Sequence, residues 1–151
     1  MKRSSKRTPA DMDSFLKALR SRGMRVTEQR RAVHSAMMDL IHAGADEVYA
    51  CIVQKGDVKI NRSTVFGILQ DMADKGIYAR RYGPEGRMCF DVNAFRHLHL
   101  YDTRNCLFID AEGEELLQSV ENGLRRRRFK GFRIDDFDIQ IICHPTRKKL
   151  L

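Results

Sequence analysis

Two histidines separated by one residue, His97-Leu98-His99, are the sharpest chemical feature of this 151-residue sequence. Side chains two apart on a strand project from the same face, so this pair could share one metal ion. Taken alone, such a pair is more often solvent-facing than ligating. Its surroundings change the reading: Asp91 stands just before it, Asp110 closes the next apolar run, and His42 sits at the end of the second helical segment. Nitrogen and oxygen donors without thiolate suit Fe(II), Mn(II) or Zn(II), and the affinity order of those ions does not choose among them. Cys51, Cys89, Cys106 and Cys143 are spaced too widely for a C-x-x-C pair, which excludes a zinc ribbon or a thioredoxin-like motif. Each is expected to be a reduced core or surface thiol.

The elements that must position these groups can be read from capping and periodicity. Thr8-Pro9 reads as an N-cap and first-turn proline, with Phe15, Leu16 and Leu19 forming an apolar face that ends at Gly23. Thr27 caps a second helix carrying Val33, Met37, Leu40 and Ile41 up to His42, and a third runs from Ala45 to about Gln54, ended by Gly56. Asn61 caps a fourth over 62–75, with Val65, Ile68, Leu69 and Met72 inward and Gly76 closing it. The pattern then changes to a hairpin, 77–82 and 87–92, around Gly-Pro-Glu-Gly at 83–86. Helices followed by a hairpin form a winged helix, whose 62–75 helix would enter a major groove with Arg62, Ser63, Thr64 and Gly67 near its exposed N-terminal half.

The rest differs in kind. Residues 97–101, 106–110 and 135–142 read as strands and 112–127 as a helix with Leu116, Leu117, Val120 and Leu124 on one side. Phe137, Ile139 and Ile141 alternate with Asp136, Asp138 and Gln140, which predicts one buried sheet face. The expected fold class is therefore α+β: a winged-helix domain over 1–92 with a basic N-terminal extension, and a small α/β domain over 93–151.

Net charge is +8, with 42% apolar and 32% charged residues, an ordinary globular balance. The first 31 residues carry ten of the cations and only Asp11, Asp13 and Glu28 against them. Clustered positive charge attracts a phosphate backbone, although a solubilising tail would look similar. The run Arg125 to Arg128 is more often a solvated helix end. No apolar stretch approaches a membrane span, and no apolar core follows the first charges, so no membrane partner and a cytoplasmic address are expected.

Several segments together resemble the ferric uptake regulators. These are Leu19-Arg20-x-x-Gly23-x-Arg25-x-Thr27-x-Gln29-Arg30, then His42 to Tyr49, then Ile60 to Leu69, then Phe90-Asp91, His97-x-His99 and Ile109-Asp110. The resemblance covers about 15–143. It implies a homodimer on double-stranded operator DNA, with N-terminal winged helices, C-terminal dimerisation modules, and a repressor as the expected form. It also implies one divalent regulatory metal per subunit between the two modules, at His42, Asp91, His97, His99 and Asp110. Fe(II) or Mn(II) is the expected ion, with Zn(II) able to substitute in vitro. DNA contact falls on Arg25, Arg62, Ser63, Thr64 and Phe66.

Departures carry their own expectations. Many members have C-x-x-C after the H-x-H strand; here Asp102 and Asn105 stand instead, and Cys143 lacks its partner. A structural zinc held by four cysteines is not expected. Haem-linked iron response regulators also lack these cysteines and resemble the Phe90-Asp91-x-Asn93 segment, which makes haem an alternative ligand. Phe66-Gly67 replaces the family's tyrosine and polar residue, so the target DNA should differ. Asp110 matches the peroxide-sensing branch, making a ferrous peroxide sensor one alternative function. A metal-independent winged-helix DNA-binding protein is another, with the histidines and aspartates in a polar network. A metal hydrolase needs an open coordination position, and five candidate ligands leave little room, so no enzyme is expected.

Overall fold

The computed structural model describes residues 11–56 and 58–147. These form two compact units, one up to Ala94 and one from Phe95 on. The fold is α+β. The first unit contains α1 (Met12–Ser21), α2 (Glu28–Leu40), β1 (His42–Ala43), α3 (Ala45–Lys55), α4 (Arg62–Asp74), β2 (Ala79–Tyr82) and β3 (Met88–Asp91). The second contains β4 (Leu98–Asp102), β5 (Leu107–Ala111), α5 (Glu114–Arg125) and β6 (Ile139–Cys143). Among the described residues no helix is long and apolar enough to cross a membrane.

Side-chain caps start three of the helices by satisfying amide donors that the first turn leaves open. Asp11 accepts from the Ser14 amide at 2.7 Å, Thr27 from Arg30 at 3.2 Å and Asn61 from Thr64 at 2.8 Å. Asp11 thus caps α1; Thr8, Pro9 and the basic extension before them lie outside the described residues. Gly56, at φ 73°, supplies the left-handed residue that ends α3.

Val33, Met37, Val48, Ile52, Val65, Leu69 and Met72 meet in one core with Phe15, Leu19, Tyr78 and Phe90. Burial of each such side chain contributes roughly 1.5–3 kcal/mol. His34 belongs to this core as well. Its ring lies parallel to Phe15 at a centroid distance of 3.9 Å, and Nδ1 meets the Tyr78 hydroxyl at 2.7 Å, so the buried polar atoms are paired.

Helical spacing predicts that His42 ends α2, but α2 stops at Leu40. Ile41 takes φ 64°, an unfavourable value for a β-branched residue, and turns the chain out of the helix. Its amide still bonds Met37 O at 2.8 Å, and its carbonyl accepts from the Val92 amide at 3.0 Å. His42 therefore enters a strand, and the hairpin becomes a three-stranded sheet in the order β1-β3-β2.

In the second unit β4 is central, antiparallel to β5 and parallel to β6. Leu98 and Tyr101 are buried, whereas Leu107, Ile109, Leu116, Ile141 and Ile142 are exposed, and α5 has no fully buried residue. The expected burial of one face of the last strand is not found. That strand also begins only at Ile139, because Arg96 engages the preceding segment, pairing with Asp136 and lying 4.1 Å from the Phe137 ring centroid.

Candidate functional site

Each unit gathers part of the histidine and carboxylate set. In the first, the register of β1 against β3 places His42 opposite Asp91, with Nε2 and Oδ2 3.4 Å apart. Asp91 is fully buried, and both its oxygens are engaged. Oδ1 accepts from the Asn93 amide at 2.8 Å and Oδ2 from Arg81 Nε at 3.0 Å, while Arg81 Nη2 donates to the Asn93 carbonyl at 3.2 Å. Cys89, two residues before Asp91, has its thiol pushed up to about 12 by burial and then by the Asp91 and Glu47 charges, so it stays protonated.

In the second unit His97 immediately precedes β4, His99 lies on it, and Asp110 on β5 is in register with His99. Asp110 Oδ1 stands 2.9 Å from His97 Nε2 and 3.5 Å from His99 Nε2. Ligand atoms of the three residues all lie within 4.8 Å of one another. His97 Nδ1 is 2.7 Å from the Phe95 carbonyl, which only accepts, so Nδ1 carries the proton there. In the neutral ring Nε2 is then a lone pair pointing at a carboxylate oxygen. Two electron-rich atoms at that distance need a proton or a metal cation shared with them. The donor set therefore fits a hard or borderline divalent ion. The other nitrogen of His99, Nδ1, lies 3.5 Å from Asp138 Oδ1.

Four contributors escaped the sequence reading: Arg81, Asn93, the Phe95 carbonyl and Asp138. Asp138 was assigned to the outward face of an alternating strand, and it instead lies just before β6 beside His99. Nothing local marks Arg81, which only strand register brings to Asp91, whereas Asn93 reaches Asp91 through its own amide, two residues along the chain.

The residues expected to meet DNA all lie in the first unit. Arg62, Ser63 and Phe66 are exposed on the first turns of α4 and Thr64 is half-buried. Arg62 pairs with Asp46 at 2.6 Å and lies 4.9 Å from the Tyr49 ring centroid, which ties α4 to α3. Ser63 Oγ donates to Asn61 Oδ1 at 2.8 Å. Arg25 is exposed in the α1–α2 connection, its carbonyl held by Arg30 Nη1 at 2.5 Å.

The chain was compared with known proteins. A family model, the ferric uptake regulator family, matches residues 21–142. The ferric uptake regulation protein of Rhizobium leguminosarum bv. viciae is 32% identical over 130 residues, covering 85% of this chain and 89% of that protein. Among solved structures, a zinc-bound manganese uptake regulator is 32% identical, with TM-score 0.66 over 86% of this chain and 97% of that one. The Vibrio cholerae ferric uptake regulator reaches TM-score 0.69 over 85% of this chain and 98% of that one; at 20% identity it shows the fold alone.

Proposed function

Because the chain belongs to the ferric uptake regulator family, and is thereby a metal-responsive, DNA-binding transcriptional regulator, we propose that one divalent metal per subunit, Fe(II) or Mn(II), sets its affinity for operator DNA. His42, Asp91, His97, His99 and Asp110 are the proposed ligands. The observation that carries this is the arrangement at His97, where Nδ1 is fixed by the Phe95 carbonyl and Nε2 is aimed at Asp110. Relatives at 32% identity carry ferric and manganese names, the latter in a zinc-bound form, and the nitrogen and oxygen donors suit all three metals as divalent ions.

A bound divalent cation would supply the positive charge that lets two carboxylates and three imidazoles share one centre. His42 and Asp91 donate from the first unit, His97, His99 and Asp110 from the second. Metal supply would then select the DNA-binding state, a switch driven by differential metal affinity. Arg62, Ser63, Thr64 and Phe66 on α4 face the major groove, where the exposed Phe66 ring suits a thymine methyl. Arg25 meets the backbone or minor groove. A second copy covers the apolar residues left exposed on β5, β6 and α5, giving a homodimer.

The test uses full-length protein and duplex DNA selected from a random library in the presence of Mn(II). Parent protein should bind this DNA only with metal, and His97→Ala should lose the metal dependence together with Mn(II) affinity. A His97→Ala variant with the parent's metal dependence would overturn the ligand assignment.

A further inference from the structure

Asp91 already holds a cation. Arg81 stands opposite Cys89 in the β2–β3 ladder, so its side chain emerges on the sheet face that carries Cys89 and Asp91. Its guanidinium donates to Asp91 Oδ2 at 3.0 Å and to the Asn93 carbonyl at 3.2 Å, two bonds that fix its plane. Oδ1 is engaged by the Asn93 amide, and Oδ2 is the oxygen that faces His42 at 3.4 Å. The oxygen that would be shared with His42 in ligation is thus the one that Arg81 holds. Burial makes this consequential. The side chain of Asp91 is fully buried and that of Arg81 only 12% exposed, so solvent screens little of the charge between them.

We infer that Arg81 is a built-in competitor for the metal: it neutralises Asp91 in the metal-free protein and weakens the affinity of the centre by contesting Oδ2. This rests on Asp91 being a ligand, as proposed above. A buried carboxylate without a partner is costly, so the metal-free form needs a cation at that position. An incoming divalent ion has to draw Oδ2 from the guanidinium and tolerate its positive charge nearby. Arg81 therefore raises the metal concentration at which the protein responds. The arginine occurs on the strand that also reaches the recognition helix, since neighbouring Arg80 bonds Gln70 and Asp74 of α4 at 2.6 and 2.8 Å.

The experiment measures Mn(II) affinity by competition with a chelating dye for full-length parent, Arg81→Gln, Arg81→Lys and Asp91→Asn. Co(II) absorption spectra and metal-free melting temperatures are recorded alongside. Glutamine removes the charge but can still donate to Oδ2, and Arg81→Gln should bind Mn(II) about tenfold more tightly, the scale on which outer partners act on a metal site. Its Co(II) band positions should match the parent's, its metal-free melting temperature should fall, and its metal-induced rise should grow. Arg81→Lys keeps the charge and loses the second donation, and should shift in the same direction by less. Unchanged or weaker Mn(II) binding in either variant, with Asp91→Asn still abolishing binding, would overturn the competitor role and leave the ligand set standing. Parent-like binding by Asp91→Asn would instead overturn the ligand assignment, and the competitor role with it.

Discussion

At His97 and His99 each ring has one nitrogen directed to Asp110; the other nitrogen of His97 is given to the Phe95 carbonyl, and that of His99 lies 3.5 Å from Asp138 Oδ1. The Phe95 carbonyl holds the tautomer and orientation of the His97 ring before any ion arrives, which lowers the reorganisation that ligation requires. Burial adds a stability term that the spacing of the two histidines does not reveal. His99 is fully buried and His97 is 9% exposed. Removing the His99 ring leaves Asp110 and Asp138 short of a donor. His99→Ala should therefore destabilise the metal-free protein by about 1–3 kcal/mol, the usual cost of stranded polar partners, besides lowering metal affinity. Urea unfolding of the metal-free variant checks this, and a midpoint equal to the parent's would show that the imidazole carries no structural share.

The connection between β4 and β5 shows at the level of elements how this chain secures a segment where many relatives have a cysteine pair. Asp102 Oδ1 accepts from the amides of Arg104 and Asn105 at 2.9 and 3.3 Å, and Oδ2 from Asn105 Nδ2 at 2.7 Å. Thr103 then ties the turn to the end of β6, its amide and hydroxyl both reaching the Cys143 carbonyl, at 2.9 and 3.1 Å. Hydrogen bonds thus join the β4–β5 turn to β6. The Asn105 side-chain bond, helped by the two amides, holds the Asp102 carboxyl below its ordinary value. A carboxyl depressed on folding stabilises above its unfolded pKa and loses that contribution as pH falls through the folded one. Asp102→Ala should accordingly lower the melting temperature at neutral pH, with the gap to the parent closing in strong acid. A gap that persists unchanged at low pH would assign the loss to packing rather than to the ionised turn.

For the whole molecule, the uneven distribution of burial matters most. The first unit encloses a continuous core, whereas the second leaves Leu107, Ile109, Leu116, Phe132, Ile141 and Ile142 in solvent. Ten strand residues on β5 and β6 flank one buried central strand, too little core for a unit of this size to stand alone with ease. The homodimer proposed above would cover such surface. Placing a charge on it, as in Ile142→Glu, should shift the protein from dimer to monomer in sedimentation velocity at micromolar concentration. Because Ile142 pairs with Tyr101 and not with a proposed ligand, a monomeric variant should keep its Mn(II) stoichiometry. A variant that stays dimeric would move the interface elsewhere.

Much of the architecture was legible because its causes are local. Thr27 and Asn61 bond amides three residues on, Gly56 supplies a left-handed turn, and apolar residues at helical spacing define the faces of α2, α3 and α4. The same locality exposed His97 and His99 as neighbours on one side of the chain. Fold class and family followed from these signals in combination. Pairing between distant segments decided the rest. The register of β1 on β3 took His42 off the helix and set it against Asp91, and that of β2 on β3 delivered Arg81 to the same carboxylate. Arg96 shortened the last strand and left Asp138 beside His99. Periodicity records which face of an element is apolar, and it carries no information on which distant polar group will meet that element, because those contacts are selected only when the chain closes on itself and buried charges must find partners.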